Sequence, residues 1–153
     1  MNSSSNQNEI LSRRNIGDGW YLLFACWLTA SVATLGSLFL DKALGIEPCS
    51  LCWYQRIFMY PLVAILLSGL LPLDRRVARY ALPLAFFGWM TAFFHLLMYV
   101  GIVPESLQPC GSGPSCVQDD HGLFGFVNIP MLSLLSFSVV IGLLLVFTQR
   151  TKQ

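Results

Sequence analysis

Four long apolar runs, separated by shorter polar segments, dominate the pattern of hydrophobic and polar positions along the chain. The first run is free of charge over residues 19–40. At about 1.5 Å per helical residue it can cross the roughly 30 Å hydrocarbon core of a membrane. The pattern therefore predicts an all-α membrane protein, an antiparallel bundle of four transmembrane helices. These helices are expected over residues 19–40, 50–71, 80–103 and 129–149.

The segments outside the runs define the domain boundaries. Residues 1–18 are rich in Ser, Asn and Gln and show no apolar period, which predicts a flexible tail. Residues 19–150 then form one transmembrane domain, and residues 151–153 form a second short tail. A secretory signal would have a shorter apolar part and a small-residue cleavage site. The first run is full length and is followed by Asp41 and Lys42, which indicates a retained helix.

The composition agrees with a membrane setting. Hydrophobic residues make up 55% of the chain and charged residues 11%, whereas a soluble domain carries about 25% charged residues. Lipid is therefore the expected surrounding of the helices. The formal net charge of +1 gives no electrostatic basis for binding nucleic acid.

The basic residues are distributed unevenly between the two sides of the predicted bundle. With four helices, both termini and the turn between the second and third helices lie on one side. Seven of the nine basic residues fall there: Arg13, Arg14, Arg75, Arg76, Arg79, Arg150 and Lys152. By the positive-inside tendency this side is cytoplasmic, so the other two connections are extracytoplasmic.

Cys49 and Cys52 form a Cys-x-x-Cys pair at the head of the second run, and Arg56 follows four residues later. In a helix these three residues share a face. Pro48 suits a helix start, and the partial positive charge of a helix N-terminus favours a thiolate, as does a nearby guanidinium. The pattern indicates a site for a negative sulfur or a reduced electron acceptor. Half of a zinc site or a structural disulfide has the same spacing.

Cys110 and Cys116 form a second pair in the longest polar connection, with five residues between them. A bridge across so short a loop stabilises little, because the entropic gain grows with loop length, so an exchangeable disulfide is expected. A simple loop staple is the alternative. All four loop cysteines lie on the side where disulfides persist and oxidation competes with metal binding, so no metal is expected. Cys26, inside the first run, is assigned no role.

Arg56 and His95 are the ionisable residues inside the apolar runs, apart from tyrosines and Cys26. Such residues are costly in lipid and are candidates for function. Each is expected roughly 10 Å below the outer surface, from the helical rise. A cation and an imidazole at one depth beneath a dithiol suggest a pocket for a group that takes electrons and protons. The alternatives are an Arg56 that snorkels to headgroups and a His95 that is an ordinary, hydrogen-bonded bundle histidine.

The residues from Pro48 to Arg56 read Pro-Cys-x-x-Cys-Trp-Tyr-Gln-Arg and resemble the DsbB/BdbC family of quinone-linked disulfide-bond formation proteins. The Phe-His-Leu-Leu segment at 94–97 and the segment 125–134 fit the same family. The resemblance covers about residues 20–150. The short spacing of the second cysteine pair is similar to the BdbC-type branch.

The resemblance implies a multi-pass oxidoreductase of the bacterial plasma membrane, with its redox loops outside the cytoplasm. It implies a thioredoxin-like partner that is reoxidised there, and a quinone, menaquinone or ubiquinone, that receives the electrons. Carried over by position, Cys110 meets the cysteine of the partner in a mixed disulfide. Cys116 displaces the partner by pairing with Cys49 as electrons move inward.

The resemblance also implies roles at the membrane end of the relay. Cys52 is the thiolate beside the quinone, Arg56 stabilises the reduced quinone or the thiolate, and His95 lies near the quinone. Two other classes are compatible with the sequence. One is a non-enzymatic four-helix membrane protein with structural loop disulfides, and the other is a metal-binding membrane protein with an outer four-sulfur site.

Overall fold

The computed structural model describes residues 3–44, 49–104 and 129–150, and these ranges contain four helices and no strand. The helices are α1 (Ser3–Leu44), α2 (Ser50–Leu70), α3 (Val77–Tyr99) and α4 (Ile129–Arg150). By length and composition each is able to cross a membrane. The candidate spans are Gly17–Ala43, Ser50–Leu70, Val77–Tyr99 and Pro130–Arg150. The predicted all-α, four-helix membrane fold is confirmed.

Helix α1 begins at Ser3, so it extends back through the segment that the sequence predicts to be a flexible tail. No proline interrupts the chain between residues 3 and 44. Extending an existing helix adds one hydrogen bond per residue without a new nucleation step. A polar sequence can therefore continue a transmembrane helix that apolar residues have already established.

The four helices pack as a ring in which chain neighbours touch and α1 closes against α4. Residues from every helix meet in one apolar core. Its fully or almost fully buried members include Leu23, Cys26 and Ala30 of α1, Leu62 and Leu66 of α2, Ala81 and Ala85 of α3, and Phe137, Val140, Leu144 and Phe147 of α4. Cys26 is part of this core, where it packs as a small apolar residue.

The inward face of α3 is a stripe of small residues that leads to a histidine. Its members are buried and follow one another at alternating spacings of three and four residues, which keeps them on one helix face. They are Ala78, Ala81, Ala85, Gly88, Ala92 and His95. At Gly88 the backbone lies so close to Phe137 of α4 that an added Cβ would overlap the ring. The small side chains thus allow α3 to pack closely against its neighbours. Because His95 lies on the same face, its side chain points into the bundle.

Helix α3 ends at Tyr99, four residues earlier than predicted, because Gly101 terminates it. Gly101 has a φ of 81°, a conformation that glycine adopts without steric cost. Its N–H donates to the carbonyl of Met98 at 3.0 Å, and the next N–H donates to the carbonyl of Leu97 at 3.1 Å, which together form a Schellman motif. His95 is therefore about 6 Å from the helix end, whereas a helix ending at residue 103 would have placed it about 12 Å from that end.

Helix α1 ends at Leu44, four residues later than predicted, and the remaining helix bounds differ less from those expected. Helices α2 and α4 agree with the predicted ranges to within one residue. Helix α3 starts three residues earlier than predicted, since the carboxylate of Asp74 accepts a hydrogen bond from the N–H of Arg76 at 2.9 Å. The carbonyl of Asp74 also accepts from the N–H of Val77 at 3.3 Å. These contacts organise the turn so that the basic segment enters the first turn of α3.

Candidate functional site

The two cysteines of the Cys-x-x-Cys pair lie at the N-terminal end of α2. Cys49 is the N-cap residue, with extended backbone angles, and Cys52 lies in the first turn. Cys49 is fully buried, whereas Cys52 is half-buried. Their Sγ atoms are 3.6 Å apart, compared with about 2.05 Å in a disulfide. The two sulfurs are not bonded to each other, and a small movement of the side chains would join them.

His95 of α3 contacts this pair directly. Its Nε2 lies 3.7 Å from the Sγ atom of Cys49, and its Nδ1 lies 3.2 Å from the amide nitrogen of Gln55 on α2. The His95 side chain is almost completely buried, as the residue is 2% exposed. Both ring nitrogens thus face partners on α2, and one of these partners is a cysteine of the candidate redox pair.

Arg56 is oriented towards α1 and is held there by three hydrogen bonds. Its Nε donates to the hydroxyl of Ser37 at 2.9 Å, and Nη2 donates to the Ser37 carbonyl at 3.0 Å. Its Nη1 donates to the carboxylate of Asp41 at 3.1 Å. The guanidinium carbon also lies 5.6 Å from the ring centroid of Trp53, within cation–π distance. A buried, paired guanidinium results, rather than one that reaches out to lipid headgroups.

The structure brings some of the predicted site residues together and separates others. Cys49, Cys52 and His95 form one cluster, with Arg56 one turn further along α2. None of the contacts described for Arg56 involves His95, since Arg56 bonds to α1 and His95 bonds to α2. Cys110 and Cys116 lie outside the described residues, as does the predicted pairing of Cys116 with Cys49.

Three polar residues of the site were not singled out from the sequence. Ser37 and Asp41 hold Arg56 in place, and Gln55 contacts His95. Their positions in the sequence indicate such a role, because polar side chains within or next to a membrane span require a hydrogen-bond partner. Asp41 served only to mark the end of the first run, and Gln55 counted only as part of the family motif.

An apolar cavity of about 350 Å³, wide open to the surface like a groove, lies between α2 and α3 next to this cluster. Its lining residues are Leu51, Tyr54, Met90, Thr91 and Phe94. Leu51 and Phe94 also pack in the small cluster that contains Cys49, so they form the wall between the cavity and the cysteine. The volume falls in the range of small-molecule sites, roughly 300–1,000 Å³. An apolar ring or chain is the kind of ligand that such a lining suits.

The cysteine–histidine cluster also has donor atoms of the kind that soft metals prefer. One ligand atom from each of Cys49, Cys52 and His95 lies within 4.8 Å of the others. A tetrahedral zinc ion with Zn–S bonds of about 2.3 Å would hold two sulfurs about 3.8 Å apart. Among the described residues, metal binding would rest on these three atoms, whereas the four-sulfur site expected as an alternative also includes Cys110 and Cys116, which lie outside the described residues.

Comparison with known proteins adds an independent line of evidence. The model of the family described as "Disulfide bond formation protein DsbB" matches residues 19–147. A probable disulfide formation protein of Metapseudomonas resinovorans is 44% identical over 136 residues, 88% of this chain and 94% of that protein. The disulfide bond formation protein C of Bacillus subtilis (strain 168) is 41% identical over 119 residues, 78% and 86% of the two chains. No solved structure shows a significant match.

The fold and the cysteine site define a multi-pass membrane oxidoreductase that acts on thiols and disulfides. The family match extends from the beginning of the α1 span into the last turns of α4, so it includes all four helices. The chain belongs to the DsbB family of disulfide bond formation proteins. The resemblance stated from the sequence is confirmed, and so is the setting in a bacterial membrane.

Proposed function

We propose that the protein reoxidises a thioredoxin-like dithiol partner outside the cytoplasm and passes the electrons to a membrane quinone. The observation that carries this proposal is the Cys49–Cys52 pair, with its sulfurs 3.6 Å apart at the N-terminus of α2. His95 contacts one sulfur of the pair, and Arg56 lies one turn beyond the other. A disulfide between Cys49 and Cys52 can therefore form or open with little rearrangement, and the positive charge of Arg56 lies close to it.

The burial of Cys49 supports a relay through a second cysteine pair. Cys49 has no exposed surface, so a partner protein cannot attack it directly. In the proposed relay the partner loses two electrons and two protons as its dithiol becomes a disulfide, and the Cys110–Cys116 disulfide gains them. A second thiol–disulfide exchange then passes the two electrons and two protons to the Cys49–Cys52 disulfide. Its intermediate is a disulfide between Cys116 and Cys49.

The residues around the pair fit a quinone. Arg56 has five N–H donors, and the three hydrogen bonds to Ser37 and Asp41 leave two N–H groups for a further acceptor within the described part of the chain. The apolar cavity with Tyr54 and Phe94 in its lining suits the apolar part of such a molecule. When bound, menaquinone or ubiquinone supplies the capacity to accept two electrons and two protons.

In this proposal the protein contributes position and charge. Cys52 presents its half-buried sulfur to the quinone, and Arg56 favours negative charge one turn away from that sulfur. Asp41 offsets part of the guanidinium charge, so the site is less positive than the sequence alone suggests. The buried position of Arg56 strengthens the remaining attraction, because the surrounding dielectric constant is low.

Turnover by the purified protein tests this function. The protein is mixed in detergent with a reduced thioredoxin-like dithiol protein and a soluble quinone analogue, and quinone absorbance is followed with time. We expect one quinone reduced per partner disulfide formed, and no turnover in Cys49→Ala or Cys52→Ala. Cys26→Ala is the matched control, since Cys26 lies in the apolar core away from the cluster. Wild-type turnover in either Cys49→Ala or Cys52→Ala would contradict the relay.

Metal binding is a second candidate, favoured by the mutual distances within 4.8 Å of the three donor atoms in the cluster. It is distinguished by measuring the zinc content of the reduced, purified protein before and after oxidation. Stoichiometric zinc that is lost on oxidation, without quinone reduction, would support metal binding. Disulfides that neither exchange with the dithiol protein nor reduce quinone would instead support a structural scaffold.

A further inference from the structure

Gln55 is a buried amide in a membrane-spanning helix, where polar groups require partners. It is 7% exposed and lies next to Arg56 in the sequence. Its amide nitrogen is 3.2 Å from Nδ1 of His95 on the neighbouring helix. Because an amide without a hydrogen-bond partner is costly in a lipid environment, this contact favours one arrangement of Gln55 and His95 relative to each other.

The chemistry of the two groups determines which nitrogen of His95 carries the proton. The amide nitrogen of glutamine can only donate a hydrogen bond, so Nδ1 of His95 must accept it. A neutral imidazole has a single N–H group, which is then at Nε2. In this tautomer the Nε2–H group lies 3.7 Å from the Sγ atom of Cys49, a distance at which it can donate a hydrogen bond to the sulfur.

We propose that Gln55 is a positioning residue that selects the Nε2–H tautomer of His95 and thereby directs a hydrogen-bond donor at Cys49. The inference rests on the proposed function only in that Cys49 belongs to the redox pair. A donor at the sulfur favours the thiolate, which is the form that attacks a disulfide and the form that leaves from one. His95 thus serves Cys49, whereas Arg56 lies one turn beyond Cys52.

The tautomer of His95 is the direct test. The chain has two histidines, so a His121→Gln variant labelled with ¹⁵N-histidine gives the signals of His95 alone. Long-range proton–nitrogen NMR spectra are recorded on the reduced protein in detergent micelles, without partner or quinone. We expect the Nε2–H tautomer in the otherwise wild-type protein. A protonated Nδ1 there would overturn the proposal, even if no Gln55 variant folds.

Two Gln55 variants test whether the amide selects the tautomer. In Gln55→Glu the carboxylate only accepts hydrogen bonds, so we expect Nδ1 of His95 to become protonated. In Gln55→Leu we expect a mixture of the two tautomers. Ser68→Ala is the control on α2, since that hydroxyl bonds to the carbonyl of Ile65 in the same helix. An Nε2–H tautomer unchanged in both Gln55 variants would show that Gln55 does not select it.

The effect on Cys49 is measured separately. In a background with the other four cysteines changed to alanine, the ultraviolet absorbance of the thiolate is recorded at one fixed pH. We expect a lower thiolate-to-thiol ratio in Gln55→Leu, by at most about tenfold, because only the molecules in the Nε2–H tautomer then donate a hydrogen bond to the sulfur. An equal ratio would refute a role towards the sulfur. The NMR and absorbance measurements use neither quinone nor partner protein. A failed turnover assay would therefore not affect the conclusion about Gln55, and a negative result for Gln55 would not affect the proposed function.

Discussion

At the scale of single residues, Arg56 shows how a bundle can carry a charge at the edge of lipid. Arg56 is 8% exposed, and its ion pair with Asp41 joins the end of α1 to the beginning of α2. Leaving one member of a buried pair without the other is more destabilising than removing both. The Arg56–Asp41 pair therefore stabilises the contact between α1 and α2 and also reduces the net positive charge next to the cysteines.

Replacing Arg56 by lysine should weaken quinone binding while keeping the charge. A lysine ammonium lacks the planar fork that reaches both Ser37 and Asp41, so its position relative to Cys52 becomes less defined. We expect the quinone KM of Arg56→Lys to rise by about tenfold, the value of one charged hydrogen bond. Steady-state kinetics with varied quinone measure it. Ser37→Ala, which removes one acceptor of Arg56, should raise KM less. An unchanged KM in Arg56→Lys would remove Arg56 from the quinone site.

Asp41→Asn should destabilise the fold, because the Arg56 charge loses its counter-ion. We expect a loss of about 1–3 kcal/mol in the free energy of unfolding, measured by denaturation in detergent. Lys42→Gln is the matched control. Lys42 is also near Asp41, but its side chain is 82% exposed and 3.9 Å away, so it contributes little. Equal stability of Asp41→Asn and Lys42→Gln would show that the Arg56–Asp41 pair contributes nothing.

At the scale of helices, α3 packs closely against α4. Its contact with α4 depends on the absence of a side chain at Gly88, opposite the buried ring of Phe137. Phe137 is 1% exposed and has little room to move. The placement of His95 therefore depends on the contact between Gly88 and Phe137, about two helical turns away from it.

Gly88→Ala should reduce stability although alanine is the better helix former. The added methyl group would overlap Phe137, and overpacking of this kind costs about 1–3 kcal/mol. Gly142→Ala on α4 is the control, since a Cβ there has no heavy atom within 4 Å. It should be neutral or stabilising by up to about 1 kcal/mol. Thermal unfolding of both variants in the same detergent makes the comparison. A Gly88→Ala variant as stable as Gly142→Ala would contradict the packing described here.

The bounds of the helices show which part of the fold the sequence determines. Apolar runs interrupted by charge and proline were sufficient for α2 and α4. The end of α3 was missed because the apolar run continues past Gly101, although glycine after a helix is a stop signal. The start of α1 was missed because polar residues can extend a helix once it has formed.

The site was predictable within a helix but not between helices. Spacing places Cys52 and Arg56 on one face of α2, because residues four apart are neighbours on a helix. Spacing does not give the rotation of one transmembrane helix against another, which packing determines. The contacts of His95 with Cys49 and of Arg56 with Asp41 depend on that rotation, so they required the structure.

At the scale of the whole molecule, the ring of four helices fixes which connections share a side of the membrane. The N-terminus of α2, the C-terminal end of α3 and the contact between Cys49 and His95 lie at one end of the bundle. The basic turn between α2 and α3 lies at the other end, with the last turn of α4. By the positive-inside tendency, the asymmetry of basic residues predicts that the cysteine cluster faces the outside of the cell.

Labelling of intact cells with a membrane-impermeant thiol reagent tests this orientation. In a background without other cysteines, Cys110 should react before the cells are permeabilised. In a second variant, Thr151→Cys is the single cysteine and all five native cysteines are replaced. It should react only after permeabilisation, since residue 151 follows the basic end of α4. Labelling of Cys110 only after permeabilisation would reverse the orientation and exclude a relay that starts outside the cell.

The small-residue face of α3 has a consequence for how this family can diverge. A helix whose inner face is lined by alanine, with no room for a methyl group at Gly88, can accept larger residues mainly on the other face, where Phe86 and Phe87 are 51% and 57% exposed. Over evolutionary time α3 should therefore have changed on its lipid side, following the membrane thickness and lipids of each host. Its inner side should have kept small residues, because a larger side chain there would push α3 away from α4.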